Sequence, residues 1–399
     1  MLSQRALTLK SSPTLALVAK AKELQAKGHD VISLTVGEPD WPTYPVAAEA
    51  GIMAIKTGFT KYTAACGTIE LRKAIALRTK ADLGLDYNPV NEVTVTGGAK
   101  FAIFAALQVL CNPGDEVIIH SPYWVSYPAM AELAGAVPHI VTCTEKENFK
   151  ISAQQLEKAI NPKTKIFLFC SPSNPTGFAY SKSELKALAQ VLIKNPHVMI
   201  MSDDMYNRLM LDGTAIAPHL LDVAPELKNR TVVINGGSKA YAMTGWRIGW
   251  AMGPSQIIKA ISDYASQATG APSSIAQAAA EQALLHSEPD IEKTNVLLKQ
   301  RLVVANETLS KIKQFKIYKP DGAFYLWINI EKALGKKYKD TVVDTSQKFG
   351  QIYLEDYYVA TVPGEEFGAP GHLRLSFAID SKRFVEAIDR LQNFINSMT

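Results

Sequence analysis

Along the middle of the chain, short apolar and β-branched runs alternate with longer segments of helical period, the pattern of a parallel sheet covered by helices. VTVT at 93–96, EVIIH at 116–120, KIFLFC at 165–170, VMIMS at 198–202, VVIN at 232–235 and RIGWAM at 247–252 read as strands. Their nearly unbroken apolar character predicts burial on both faces. KFAIFAALQVL predicts a helix stopped by Asn112-Pro113-Gly114, and SKSELKALAQVLIKN one that opens on Ser181 or Ser183 as N-cap. Residues 50–290 thus read as one α/β domain. After it come LVVANETLSKI, a strand-like FKIYK, the turn Pro320-Asp321-Gly322, AFYLWINI, and HLRLSFA followed by an amphipathic helix. That order predicts a smaller α+β unit of mixed pairing. The amphipathic first helix and VISLTVGEPD can pack with either unit.

Composition narrows the classes. At 399 residues, 47% apolar and 20% charged, the chain buries a large core and exceeds one compact unit of ordinary size. A net charge of +4 offers no footprint for nucleic acid or an anionic membrane, so any important cations must be local. No segment reaches the roughly 18 uninterrupted apolar residues of a membrane span. Cys66, Cys111, Cys143 and Cys170 form no CxxC pair, which argues against a disulfide framework or zinc site and for a reducing, cytoplasmic setting.

Four segments carry candidate chemistry, each with a plain structural alternative. TGGAK (96–100) follows a strand and opens a helix, where free N–H groups attract a phosphate; it also serves as a tight turn. SPSNPTG (171–177) sets Asn174 in an irregular loop at a strand's carboxyl end, the ligand edge of open α/β sheets, or is an ordinary proline turn. In MSDDMY (201–206), Asp203 is a partner for a buried cation or a helix N-cap, and Asp204 a cap for the next segment. In NGGSKAYAMTGWRIGW (235–250), Lys239 is a Schiff-base amine in a desolvated site or a surface charge, with Arg247 eight positions on. One ligand accounts for all four. Pyridoxal phosphate has an aldehyde for a lysine, a ring nitrogen for an aspartate, and a phosphate for a helix N-terminus and arginine.

The ordered series LKSSPTLALVAKAKEL, VGEPD, KYTAACGTIELRKAI, SPYWVSYP, SPSNPTG, SKAYAMTGWRIGW, PDGAFYLW and HLRLSFA resembles the class I aminotransferases, fold type I pyridoxal-phosphate enzymes, and among them the bacterial aspartate aminotransferase branch. The resemblance implies a large domain (50–290) with a mostly parallel seven-stranded sheet, and a small α+β domain from 1–49 and 291–399. It implies that Lys239 joins the cofactor and shuttles the substrate proton, that Asp203 keeps the ring nitrogen protonated, and that Asn174 and Tyr206 donate to the ring oxygen. Trp124 would stack on the ring, or else simply pack in the core. Gly98, Ala99, Lys100, Ser238 and Arg247 would hold the phosphate, with Tyr62 from a neighbouring subunit, so the implied enzyme is a homodimer with composite sites.

For the substrate, the resemblance assigns the α-carboxylate to Arg374, otherwise a surface arginine on an alternating strand, and to the backbone of Gly37. Trp124 and Asn174 border the same pocket, and Lys100 and Thr14 match positions that favour an acidic side chain. The implied reaction moves the amino group of L-aspartate to 2-oxoglutarate. Aromatic, alanine, kynurenine or prephenate transamination and a β-lyase stay as alternatives. A regulator built on this fold would carry a DNA-binding domain first, and the family pattern begins within the first fifteen residues. Asp204, where the family usually has glutamate, and Gly236, where many relatives have serine, depart from the pattern without touching Lys239, Asp203 or Arg374.

Overall fold

The computed structural model describes residues 2, 3, 7, 13–35 and 37–399, apart from the side chains of residues 13–16 and 18. In chain order the strands are β1 (Ile32–Ser33), β2 (Val93–Thr96), β3 (Glu116–Ser121), β4 (Val137–Thr142), β5 (Thr164–Cys170), β6 (Met199–Asp203), β7 (Thr231–Gly236), β8 (Gly249–Met252), β9 (Lys316–Tyr318), β10 (Tyr325–Asn329), β11 (Lys336–Tyr338), β12 (Thr341–Val343), β13 (Val359–Ala360), β14 (Val362–Pro363) and β15 (His372–Ser376). β2 to β8 form a seven-stranded sheet of order β2-β8-β7-β6-β5-β3-β4. Pairing is parallel from β7 through β6, β5 and β3 to β4, whereas β8 runs antiparallel to β2 and β7.

Six of these strands are the six continuous apolar runs. The seventh, β4, is an edge strand that exposes Val137 and carries Pro138, so it lacks the doubly buried signature. Helices cover the sheet as the 3.6 period requires. Ser181, not Ser183, is the N-cap of Lys182–Lys194: its hydroxyl accepts from the Glu184 amide and the Glu184 carboxylate accepts from the Ser181 amide.

Because β8 is reversed, it starts on the edge where β2, β3, β5, β6 and β7 end. That reversal brings Arg247, just before β8, to the carboxyl ends of the parallel strands. Gly249 makes the approach possible, since a side chain there would collide with the Ala99 amide.

A second, antiparallel sheet has the order β14-β15-β10-β9. The chain's beginning packs with this part. β1 pairs in parallel with β13, the Ser376 amide donates to Leu34 O at 2.8 Å, and Ala21, Leu24 and Val31 pack against Leu354 and Ala360. The turn before β10 is stitched to the large sheet's loops: the Asp321 and Gly322 amides donate to Gly177 O, and the Ala323 amide to Leu209 O at 2.8 Å. A side chain on Gly322 would lie 2.6 Å from Pro172 and 2.7 Å from Leu209 O, so this seam needs glycine. One continuous helix, Glu288–Leu309, crosses position 290 and touches both parts. Among the described residues no helix is long and apolar enough to cross a membrane.

Candidate active site

The strand ends surround a cavity of about 310 Å³. At one end, Gly98 (φ +102°) precedes the helix Ala99–Leu110, and any side chain on it would sit 2.7 Å from the Arg247 guanidinium. Ala99, Lys100, Ser238 and Arg247 line this end, where helix N–H groups, a hydroxyl and a guanidinium favour an anion. Arg247 is held by its bond to Thr244 O at 2.9 Å.

Asp203 ends β6 opposite Cys170 of β5. Its carboxylate accepts from the Tyr127 hydroxyl at 2.6 Å and from the Met205 amide at 3.2 Å. Burial lifts its pKa to about 6 against the pull of those donors. The helix N-cap alternative for this aspartate is not realised, since residues 205–208 form turns and no helix opens there; its carboxylate closes the turn at Met205 and faces the cavity. Asp204 caps no helix. It turns away, accepting from the Ser202 hydroxyl at 2.5 Å beside His219 at 3.3 Å.

Lys239 leaves β7 through Gly237-Ser238 and donates to Gly37 O. Protein surrounds its stem while the amine borders the cavity, and this burial takes its pKa down to about 8, with Glu38 opposing. Gly37 admits no side chain, because a Cβ would lie 2.9 Å from the Tyr325 hydroxyl.

Arg374 is 4% exposed, in the interior of the second sheet between β14 and β10, so the surface alternative does not hold. It donates to Asn174 Oδ1 at 2.8 Å and to Thr35 O at 2.6 Å, and its guanidinium lies 4.4 Å from the Tyr325 ring centroid. Its Nε is buried without a partner, and no carboxylate pairs with it among the described residues. Such a guanidinium is poised for an incoming carboxylate. Trp124 faces the same space, with Lys100 Nζ 5.0 Å from its ring and Tyr127 edge-on at 5.3 Å. Burial, then Arg247, lowers the pKa of Lys100.

Of the residues singled out in the sequence, Gly37, Ala99, Lys100, Trp124, Asn174, Asp203, Tyr206, Ser238, Lys239, Arg247 and Arg374 line this one cavity. Gly98 does not line it but immediately precedes Ala99 and packs beside Arg247, both of which do. Tyr62 is fully exposed and away from it, and the Thr14 side chain falls outside the described residues. Thr35, Tyr127, Cys170 and Tyr325 also line the cavity and were not foreseen. For Tyr325 a signal existed in the alternation of AFYLW beside HLRLSF; for Tyr127 and Cys170 there was none beyond their strand and helix positions.

The Aminotransferase class I and II family profile matches residues 29–391. The chain is 45% identical over 398 residues to the aspartate aminotransferase of Geobacillus stearothermophilus, covering 99% of each. It is 44% identical over 391 residues to a probable aspartate/prephenate aminotransferase of Rickettsia bellii, covering 98% of each. The crystal structure of the aspartate aminotransferase from Rhizobium meliloti superposes with a TM-score of 0.95 at 38% identity, over the whole of both chains. The fold is that of the fold type I aminotransferases, and the chain belongs to the class I and II aminotransferase family.

Proposed function

We propose that the protein is an aspartate aminotransferase dependent on pyridoxal phosphate, converting L-aspartate and 2-oxoglutarate to oxaloacetate and L-glutamate. The residues fit the cofactor on three counts. Asp203 is a buried carboxyl whose charge wants a cation, which a ring N–H⁺ supplies; the Ala99 helix end with Arg247 and Ser238 wants an anion; and Lys239 is an amine with a lowered pKa. Asn174 and Tyr206 would donate to the ring oxygen, and Trp124 would cover the ring. When bound, the cofactor supplies an electron sink for the charge left at the substrate Cα and a carrier for the amino group.

The chain's own groups do the rest. Arg374 and the Gly37 backbone orient the α-carboxylate, which sets the Cα–H toward Lys239. Lys239 Nζ takes that proton and returns it, a role suited by its pKa near 8. The carrying observation for substrate is that Lys100 and Arg374 line one cavity, giving a cation for each carboxylate of a dicarboxylic amino acid. The names of the Geobacillus and Rickettsia relatives support the same donor, and the latter makes prephenate an acceptor worth testing.

We also read the enzyme as a cytoplasmic homodimer in which Tyr62 completes the site of the partner subunit. Ile52, Met53, Ile55 and Phe59, exposed on the same stretch, support a covered face. We divide the chain into a large domain (50–290) and a small one (1–49 and 291–399) joined through the helix Glu288–Leu309. A steady-state panel tests the substrate. Aspartate should exceed phenylalanine in kcat/KM by at least about tenfold with 2-oxoglutarate as acceptor. A phenylalanine preference would overturn the substrate, and pyruvate with ammonia released from a cysteine conjugate without acceptor would indicate a lyase.

A further inference from the structure

We propose that Tyr325 is a positioning residue that transmits the arrival of the substrate α-carboxylate at Arg374 to Tyr206, the donor at the cofactor's ring oxygen. The inference rests on the function proposed above. Its geometry is direct. Tyr325 is 1% exposed, its hydroxyl is 2.7 Å from that of Tyr206, and its ring face lies under the Arg374 guanidinium at 4.4 Å. In the β10–β15 ladder Tyr325 opposes Ser376 and Trp327 opposes Arg374, so Tyr325 and Arg374 are diagonal neighbours on one face. The seam that joins Asp321, Gly322 and Ala323 to Gly177 and Leu209 fixes the entry to β10 relative to the loops bearing Asn174 and Tyr206.

Two hydroxyls in contact share their protons in only one way at a time. Tyr206 can give its single proton to the ring oxygen only while Tyr325 donates to Tyr206. The Arg374 charge over the Tyr325 ring makes that phenol the better donor, opposing the upward push of burial. A donor so strengthened polarises Tyr206 in turn, and Tyr206 then binds the ring oxygen more firmly. When a carboxylate neutralises Arg374, Tyr325 weakens as a donor, the bond at the ring oxygen loosens, and the proton affinity of the bound cofactor rises. The ionisable groups facing the pair are Arg374 from β15, Cys170 from β5 and Lys239 beside Gly37. Asn174 accepts from Arg374 and forms a separate arm that does not pass through either tyrosine.

The test uses holoenzyme and maleate, a dicarboxylate with no amino group to react. The pH midpoint of the cofactor's absorbance change is measured with and without saturating maleate in the wild type, Tyr325→Phe, Tyr206→Phe and the double variant. In the wild type maleate should raise the midpoint. In Tyr325→Phe, which keeps the ring under Arg374, the rise should fall below half of the wild-type value, with maleate affinity within about threefold of wild type. For aspartate turnover, kcat should drop more than KM rises. The double variant should respond as Tyr206→Phe alone does, since the two hydroxyls act in series. A wild-type rise in Tyr325→Phe, or strictly additive losses in the double variant, overturns the coupling. A wild-type protein with no cofactor absorbance or no response to maleate overturns the functional reading itself, and the two failures are distinguishable.

Discussion

Lys239 and Asp203 bear opposite charges in one cavity, and burial works against both. In cofactor-free protein the lysine releases its proton near pH 8, while the unfolded chain holds it to about 10.5. For this lysine the unfolded state binds more protons across that window, so its own contribution to stability should rise with pH there by about 3 kcal/mol, against the opposite contribution of buried thiols such as Cys111 and Cys143. Asp203 acts the other way: folded protein keeps its proton to about 6 and the unfolded chain only to 3.8, so stability should fall as pH climbs between them. Urea titrations at stepped pH check both contributions, and Lys239→Met should remove the alkaline one alone, read as the difference from the wild-type slope. In the holoenzyme, Lys239→Ala should remove the covalent cofactor adduct and lower kcat by at least about 10⁴-fold, read by absorbance and turnover; normal turnover would sink the mechanism. Lys239, Asp203 and Asn174 were legible because each sits just beyond an apolar strand in a short marked segment. The alternation of AFYLW marks Tyr325 as facing inward, but its contact with Tyr206, 119 residues away, was not legible, because only the folded ladder creates that proximity.

At the level of elements, the phosphate end depends on a backbone that few residues adopt. Gly98→Ala should weaken cofactor binding at least about tenfold, because φ +102° strains an L-residue and the new methyl presses on Arg247. Equilibrium dialysis measures it, and an unchanged affinity would show the turn to be passive. Six strands could be read from continuous apolar runs, but β4 could not, since its exposed edge dilutes the pattern. Nor does any local signal report that β8 is reversed. Strand direction follows from connections, and here the short link from β7 through the Lys239 segment is what turns the chain back.

Over the whole molecule, Arg208 gathers parts distant in sequence, donating to Asp82 at 2.7 and 2.9 Å and to Glu288 while Asn295 binds its carbonyl. Arg208→Met would leave the nearly buried Asp82 with Arg78 as its one remaining ion-pair partner among the described residues and should cost about 1–3 kcal/mol in denaturant unfolding; a loss below about 1 kcal/mol would mean Arg78 compensates alone. The dimer is tested by mixing inactive Lys239→Ala and impaired Tyr62→Ala proteins. Subunit exchange should restore activity, because one site of each hybrid regains both residues; no recovery would place Tyr62 outside the partner's site. The change of pattern after the α/β stretch marks where the second sheet begins, whereas periodicity left the β1 segment free to pack with either unit and only the resemblance attached it to the small one, because β1 is two residues long and its partner lies near the other end of the chain. That attachment also orders events during biosynthesis. Arg374 reaches the Thr35 carbonyl across 339 residues, and at about 5–20 residues per second the ribosome needs roughly 20–70 seconds to span them. A nascent chain can thus assemble the large sheet with Lys239 and Asp203 while its grip on a substrate carboxylate waits for the last strand to emerge.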